Sequence, residues 1–447
     1  MLDETHDLGT ESWVESANVA GADFPIQNLP FGVFRRRNSD AARIGVAIGD
    51  LIVDLAGLAD EGAVQPGDAA TARACGTSAL NELMALGAGP RLALRRRLHS
   101  LLRKGATKLE QEAVGRHLVG QAEVEMLIPA VIGDFSDFYA SVFHATNVGV
   151  LNRPNNPDPL LPNYKYIPIG YHGRASSVVT SGTPFHRPLG QTRHDHGDPS
   201  FGPARAMDYE LEVGFFVSVG TELGQTIPIG EADDHIFGIC VVNDWSARDV
   251  QAWEYQPLGP FLAKSFLTTI SPWIVTLEAL APFRTPAFKR AAGDPAPMPY
   301  LFDQADQDSG GLDLHLEVLL SSARMREAGM SPFRLGRTNF RDMYWTIAQM
   351  LAHHASNGCN LRPGDLLGSG TVSGPGKDAR GSLLELTWRG KEPLTLPTGE
   401  HRRFLEDGDE VIMRGWCERE GFRRIGLGAC SGVVLPAVQS VEAVTAG

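Results

Sequence analysis

The sequence predicts a soluble, mainly β chain with some α-helix, in which a small leading β-rich unit precedes a long stretch of short strands. Three observations carry that prediction. At 447 residues and 43% apolar content, the chain exceeds one average domain and holds core enough for about two or three. Short runs alternate apolar and polar residues with the two-residue period of strands. From about residue 130 onward the composition turns rich in glycine and proline, and only one long helical pattern interrupts it.

In chain order, "ARIGVAIGDLIVDL" reads as a hairpin. Ile44, Val46 and Ile48 alternate, Gly49-Asp50 suits a type II′ turn, and Leu51, Val53 and Leu55 resume the alternation. From Pro90, Leu94, Leu98, Leu101 and Leu102 recur at helical spacing, and the intervening Arg95, Arg96 and Arg97 are expected on a solvated helix face. A helix starting near Ser136 would set Asp137 and His144 two turns apart on one face, about 10 Å along the axis. "DYELEVGFF" reads as a strand with one buried face, as do "GLDLHLEVLL", with Leu312, Leu314, Leu316 and Val318 together, and "LLELTW", with Glu385 opposite Leu384, Leu386 and Trp388. Asn339 is placed to cap a helix whose stripe is Phe340, Met343, Ile347 and Met350 and whose end suits Gly358. "GDPAPMP" is a surface loop, and no internal repeat is present.

Charge and cysteine usage exclude several classes. Forty Lys and Arg against fifty-three Asp and Glu give a net charge of −13, which leaves nucleic-acid binding without electrostatic support. The opening "MLDETHDLGTESW" lacks the basic start and apolar core of a secretory signal, and no uncharged apolar run is long enough to span a bilayer, so a cytoplasmic chain without membrane contact is expected. The five cysteines are scattered and never in C-x-x-C spacing, which points to buried thiols rather than disulfides or a zinc site.

The chemistry concentrates on acids. Glu210 and Glu212 point the same way from one strand, about 7 Å apart at Cα, and repel unless water or a cation neutralises them. Clustered carboxylates are what a hard dication requires. Further donors are sought among acids in apolar or constrained sequence: Asp134 and Asp137 of "GDFSDFYASVFHATNVG", and Asp244 of "CVVNDWSARDVQAWEY", which equally fits a helix N-cap. His144 suits a base that takes a proton from water beside such an ion.

The segments "IGDFSDFYASVFHATNVG", "PIGYHGRASSVVTSGTPFHRPLGQ", "MDYELEVGFFV", "NDWSARDVQAWEYQPLGPFLAKSF" and "MYWTIAQMLAHHASNGCNLRPGDLLGSGTVSG", with "NLPFGVF" and "RIGVAIGD" ahead of them, together resemble the fumarylacetoacetase family. The resemblance implies an SH3-like barrel with a helical connection over residues 1–130 and the family's mixed-β catalytic domain over 131–447, assembled as a homodimer. It implies metal-dependent hydrolysis of the carbon–carbon bond of 4-fumarylacetoacetate, a dianionic diketo acid, in tyrosine and phenylalanine catabolism. By position within the motifs, Asp137, Glu210, Glu212 and Asp244 correspond to ligands of Ca²⁺ or Mg²⁺, with Lys264 and Thr268 beside the ion. Four carboxylates on one ion exceed the usual complement of Mg²⁺ and favour Ca²⁺. His144 corresponds to the general base and Glu385 to the carboxylate that orients it. Arg248, Gln251 and Lys264 surround developing negative charge, while Tyr139, Arg153, Tyr171, Gln251, Tyr255 and Thr371 match substrate contacts. "NRPNNPDPLLPN" and "QTRHDHGD" depart from the family pattern.

Other signals are weaker. "GSGTVSGPGKD" fails the phosphate-loop pattern because Lys377 is followed by Asp378, the "HDH" at 194–196 reads as loop, and helix-end charge accounts for His353 and His354. Two rival readings are an acylpyruvate hydrolase, decarboxylase or hydratase on the same fold, and a calcium-stabilised binding protein. Such enzymes resemble only the C-terminal part, and a purely structural ion needs no poised His144–Glu385 pair.

Overall fold

The structure is a computed structural model, and it describes residues 2–64, 68–193 and 197–438. The histidines at 194 and 196 therefore lie outside the described residues. Strands β1 (Phe31–Arg36), β2 (Arg43–Ile48), β3 (Leu51–Asp54), β4 (Leu118–Gly120) and β5 (Val124–Leu127) form an antiparallel sheet in the order β4-β3-β2-β1-β5. Its two edge strands follow one another in the chain with only residues 121–123 between them, so the sheet has to curl toward closure. The β2–β3 hairpin turns where the sequence places it, with Gly49 at φ +58° and Asp50 outside the positive-φ residues, as type II′ requires.

Helix α1 (Ala88–Leu102) buries Leu94, Leu98, Leu101 and Leu102 against this sheet. The arginine run is not simply a solvated face. Arg95 is buried, donating from Nε to Thr5 Oγ1 at 3.0 Å, from Nη1 to the carbonyl of Asn28 at 2.6 Å and from Nη2 to that of Gln27, whereas Arg96 is exposed and pairs with Asp3 at 2.8 Å. A side chain with five fixed donors satisfies loop carbonyls that no strand reaches, which composition alone does not reveal. Arg95→Ala is expected to destabilise the chain by about 3 kcal/mol, because it strands buried acceptors at ~1–3 kcal/mol each; the check is a denaturant midpoint.

The central sheet is eight-stranded. Its path runs β7 (Gly170–His172), β6 (Phe135–Phe138), β15 (Leu366–Gly368), β10 (Leu211–Val217), β11 (Ile236–Asp244), β12 (Thr268–Ile270) and β8 (Val178–Thr180), and Val275–Thr276 also pairs with β11. A five-stranded sheet joins β14 (Phe333–Asn339), β13 (His315–Ser321), β16 (Glu410–Cys417), β17 (Ile425–Leu435) and β9 (Phe185–His186) in that order.

Strand β10 is buried on both faces, not on one. Tyr209, Leu211, Val213 and Phe215 belong to the core shared with the second sheet, while Phe216 faces the core shared with β2 and α1. The strand is also shorter than its alternation, since Tyr209 and Glu210 precede it and Met207–Asp208 pair separately with Ser246–Ala247. Asn339 caps only a 3-10 turn over Phe340–Asp342; helix α5 (Ile347–Ala355) starts later, capped by Thr346, whose side chain accepts from Gln349 N. Gly358 follows at φ +82°. All five cysteines are free, and four are buried.

Candidate active site

Three neighbouring regions of the central sheet bring acids to one point. Asp137 stands on β6, Glu212 on β10 and Asp244 at the end of β11. Asp137 therefore lies on a strand and not on a helix with His144, and Asp244 caps nothing: helix α3 (Arg248–Glu254) begins after Ala247. Strand β15 runs between β6 and β10, and its Gly368, paired with Asp137, leaves the gap that the acids enter. A Cβ there would meet Asp137 Oδ1 at 2.4 Å and Glu212 Oε2 at 3.0 Å.

Each of these three buried residues offers an oxygen within 4.8 Å of the others. Among the described residues no N–H or hydroxyl donor reaches either oxygen of Glu212, whose side-chain neighbour is the Asp137 carboxyl. Burial, then the nearby Asp244 carboxylate, pushes Asp137 up to about 8, and burial with Asp137 and Asp244 raises Glu212 well above the carboxylate range. Unpaired buried anions at this spacing hold protons unless a cation replaces them. The donor set, hard oxygens in a gap held open by a glycine, fits a divalent ion.

Glu210 stands beside this triad, paired with two cations. Burial raises its carboxyl, but Lys264 and Arg248 outweigh that and hold it well below the usual range. Lys264, on helix α4 (Leu262–Ser265), bridges Glu210 and Asp244, the latter at 2.8 Å, and Arg248 Nη1 meets Glu210 Oε1 at 2.7 Å. Thr268 Oγ1 donates to Asp244 Oδ1 at 3.1 Å and the Tyr171 hydroxyl to Oδ2 at 2.9 Å, while Gly370 N donates to Asp137 Oδ1 at 3.1 Å. Lys264 and Thr268 thus orient an acid.

His144 lies in the first turn of helix α2 (Val142–Asn152), whose N-cap Ser141 accepts its backbone N–H at 3.1 Å. Nδ1 donates to Glu385 Oε2 at 2.7 Å, which leaves Nε2 as the free acceptor, 3.9 Å from Glu210 Oε1. Glu385 is fully buried and also accepts from Ser373 Oγ and Ser382 Oγ at 2.9 Å each and from Asn147 Nδ2 at 2.8 Å. Burial raises Glu385, but His144 and these donors bring it below its ordinary value. "LLELTW" is not a strand: residues Leu383–Leu386 form the short helix α6, whose N-cap Ser382 accepts from Glu385 N. Its first two N–H groups donate to Asp208 at 2.8 and 3.0 Å.

Asp208 also accepts from Arg248 Nε at 2.8 Å, so one carboxylate ties Arg248 to the helix of Glu385. Sequence reasoning passed over Asp208, Asn147, Ser373, Ser382 and Gly368. Only Ser382 had a local signal, the S-x-x-E spacing of a capping box to Glu385.

The remaining candidates are less uniformly gathered. Tyr139 packs edge-on to His144 with ring centroids 5.3 Å apart, and Gln251 Oε1 accepts from Arg248 Nη1 at 3.2 Å. Arg248 Nη2, Arg153 Nε and Thr371 Oγ1 are buried without hydrogen-bond partners among the described residues. Arg153 Nη2 donates to the carbonyl of Pro159 at 2.6 Å, so the divergent "NRPNNPDPLLPN" loop holds its own arginine. Tyr255 follows α3 and is 41% exposed, with no side-chain hydrogen bond to the others among the described residues.

Comparison with known proteins agrees over nearly the whole chain. The family model described as Fumarylacetoacetase N-terminal matches residues 27–129, and that of the Fumarylacetoacetate (FAA) hydrolase C-terminal matches 135–434. Among curated relatives, the fumarylacetoacetase of Rattus norvegicus is 48% identical over 420 residues, covering 93% of this chain and 97% of its own. That of Caenorhabditis elegans is 50% identical over 422 residues with the same coverage, and that of Oryza sativa is 46% identical over 435 residues, 96% of this chain and 97% of its own. The chain belongs to the fumarylacetoacetate hydrolase family and carries both its N-terminal and its C-terminal modules.

Proposed function

We propose that the protein hydrolyses the carbon–carbon bond of 4-fumarylacetoacetate to fumarate and acetoacetate. The observation that carries this reading is a histidine with its Nδ1 proton fixed by Glu385 and its Nε2 free, beside a buried acidic triad. Near-full-length identity to curated fumarylacetoacetases supports the substrate.

Asp137, Glu212 and Asp244, with Glu210 beside them, would hold the dication, which when bound would supply Lewis-acid polarisation of a carbonyl and a counter-charge for developing negative charge. His144 Nε2 takes a proton from the attacking water, and Glu385 keeps the imidazole in the required tautomer and orientation. Arg248 keeps Nη2 free for an oxyanion because its Nε and Nη1 are already engaged, and Lys264 adds fixed positive charge; losing one such donor commonly costs ~3 kcal/mol of barrier. Arg153 Nε, Thr371 Oγ1, Tyr139, Tyr171, Gln251 and Tyr255 meet the substrate's oxygens. Two carboxylates in a chain of charge −13 need Arg153 as a clamp.

Glu210 stays the fourth carboxylate of the set, and because Lys264 and Arg248 neutralise it the set carries less net negative charge, which weakens the charge argument for Ca²⁺ over Mg²⁺. Either ion suits a hard-oxygen set of this size. The reading extends to the end of tyrosine and phenylalanine catabolism, a cytoplasmic site, a homodimer, and a division near residue 130 between an SH3-like N-terminal domain and the catalytic domain. No helix among the described residues is long and apolar enough to cross a membrane.

The test follows loss of the diketone's ultraviolet absorbance on adding fumarylacetoacetate, with and without chelator. Turnover that chelator stops and Ca²⁺ or Mg²⁺ restores is expected. Turnover of acylpyruvates alone, or none with metal present, contradicts the reading.

A further inference from the structure

Two short helices carry groups assigned above to the site, and one side chain outside that set joins them. Helix α3 carries Arg248 and Gln251, and α4 carries Lys264. Residues 255–261 connect the two as a loop with its apolar side chains in solvent: Leu258 is 96% exposed and Phe261 68%. Within this connection the backbone bonds are few, such as Gly259 N to the carbonyl of Tyr255. A loop so poorly anchored leaves the start of α4 undefined unless something else fixes it.

Glu254, the last residue of α3, does so. Its Oε1 accepts from the backbone N–H of Phe261 at 2.9 Å and from that of Ala263 at 2.8 Å. Phe261 is the N-cap of α4 and has no side chain able to cap it, so the carboxylate takes the Ala263 amide that a Ser or Asp at the cap ordinarily takes, and the Phe261 amide that a capping-box Glu ordinarily takes. The carbonyl of Phe261 in turn accepts from Lys264 N at 3.1 Å and Ser265 N at 2.9 Å. The position of Phe261 therefore sets the turn from which the Lys264 side chain reaches Asp244 and Glu210. Apolar contact among Ala247, Val250 and Ala263 holds the two helices together independently of Glu254.

We infer that Glu254 is a positioning residue: it acts through Lys264, closing the neck of the 255–261 loop so that the ammonium and Arg248 are held in fixed register. The functional half of this inference rests on the hydrolase reading above, while the structural half does not. Because the apolar contact remains, Glu254→Ala folds, whereas Glu254→Gln keeps an oxygen in the same place.

The experiment measures fumarylacetoacetate turnover and amide hydrogen exchange on the full chain. Glu254→Ala is expected to lose ~10-fold or more in kcat with KM within ~3-fold, and to expose the Phe261 and Ala263 amides to exchange; Glu254→Gln restores protection and comes within ~3-fold of the original rate. In a Lys264→Met background the added loss from Glu254→Ala disappears. Protected amides and an unchanged rate in Glu254→Ala overturn the inference, as does the full loss persisting without the lysine. If the unaltered protein turns over no fumarylacetoacetate, the functional reading falls, and the exchange result still decides whether Glu254 caps α4.

Discussion

Glu212→Gln is expected to lower fumarylacetoacetate turnover on the order of 10³-fold or more and to abolish tight binding of Ca²⁺ or Mg²⁺. Both effects follow from removing one of three anionic donors to an ion that supplies several kcal/mol of transition-state stabilisation. The same variant has an opposite effect on the metal-free fold. Glu212 is wholly buried beside Asp137 and Asp244, with no N–H donor to its oxygens among the described residues, so its ionised form costs stability that glutamine does not. Thermal unfolding in chelator therefore shows Glu212→Gln melting above the unaltered chain at pH 8.

Asp137 gives the sign of the pH dependence. Its folded-state value of about 8 lies above its ordinary 3.8, so the folded state binds more protons between them. The metal-free protein loses stability as pH rises through that window, Asp137's share of the loss being complete above about 8 and Glu212 adding a loss of the same sign, and a bound dication removes the effect. A melting series from pH 5 to 9, with and without metal, reads this directly.

His144→Ala is the second large effect. Loss of a positioned base lowers kcat by ~10² to 10⁴-fold. Metal affinity stays unchanged, because His144 lies outside the triad of Asp137, Glu212 and Asp244. Glu385→Gln keeps the shape but can present an amide to Nδ1, which leaves the imidazole free to adopt the wrong tautomer, and kcat falls by at least ~10² with KM little changed. Equal loss of metal in His144→Ala would instead make the histidine a ligand.

How far the site was legible in the sequence depends on the range of the interaction. The period-2 pattern of 208–216 and the apolar run ending at Asp244 place Glu212 and Asp244 each on a strand, and the β10–β11 pairing, which no local pattern shows, sets those strands side by side. The same pattern misassigns "LLELTW", because four residues of alternation fit a capped helical turn equally well and the cap from Asp208 comes from 175 residues away. Asp137 and His144 read as one helix because apolar spacing is continuous across them; the strand ends at Phe138 because β6 pairs with β15, more than two hundred residues later in the chain. The gap that Gly368 provides, and the capture of Glu210 by Lys264 and Arg248, exist only once distant segments meet. Resemblance supplied what periodicity could not.

One hard dication is expected at the point between Asp137, Glu212 and Asp244. Anomalous diffraction from crystals grown with Mn²⁺ in place of the native ion locates it. A single strong peak bonded to oxygens of all three acids, absent in Glu212→Gln, is the predicted result; a peak elsewhere, or none in the active protein, contradicts it.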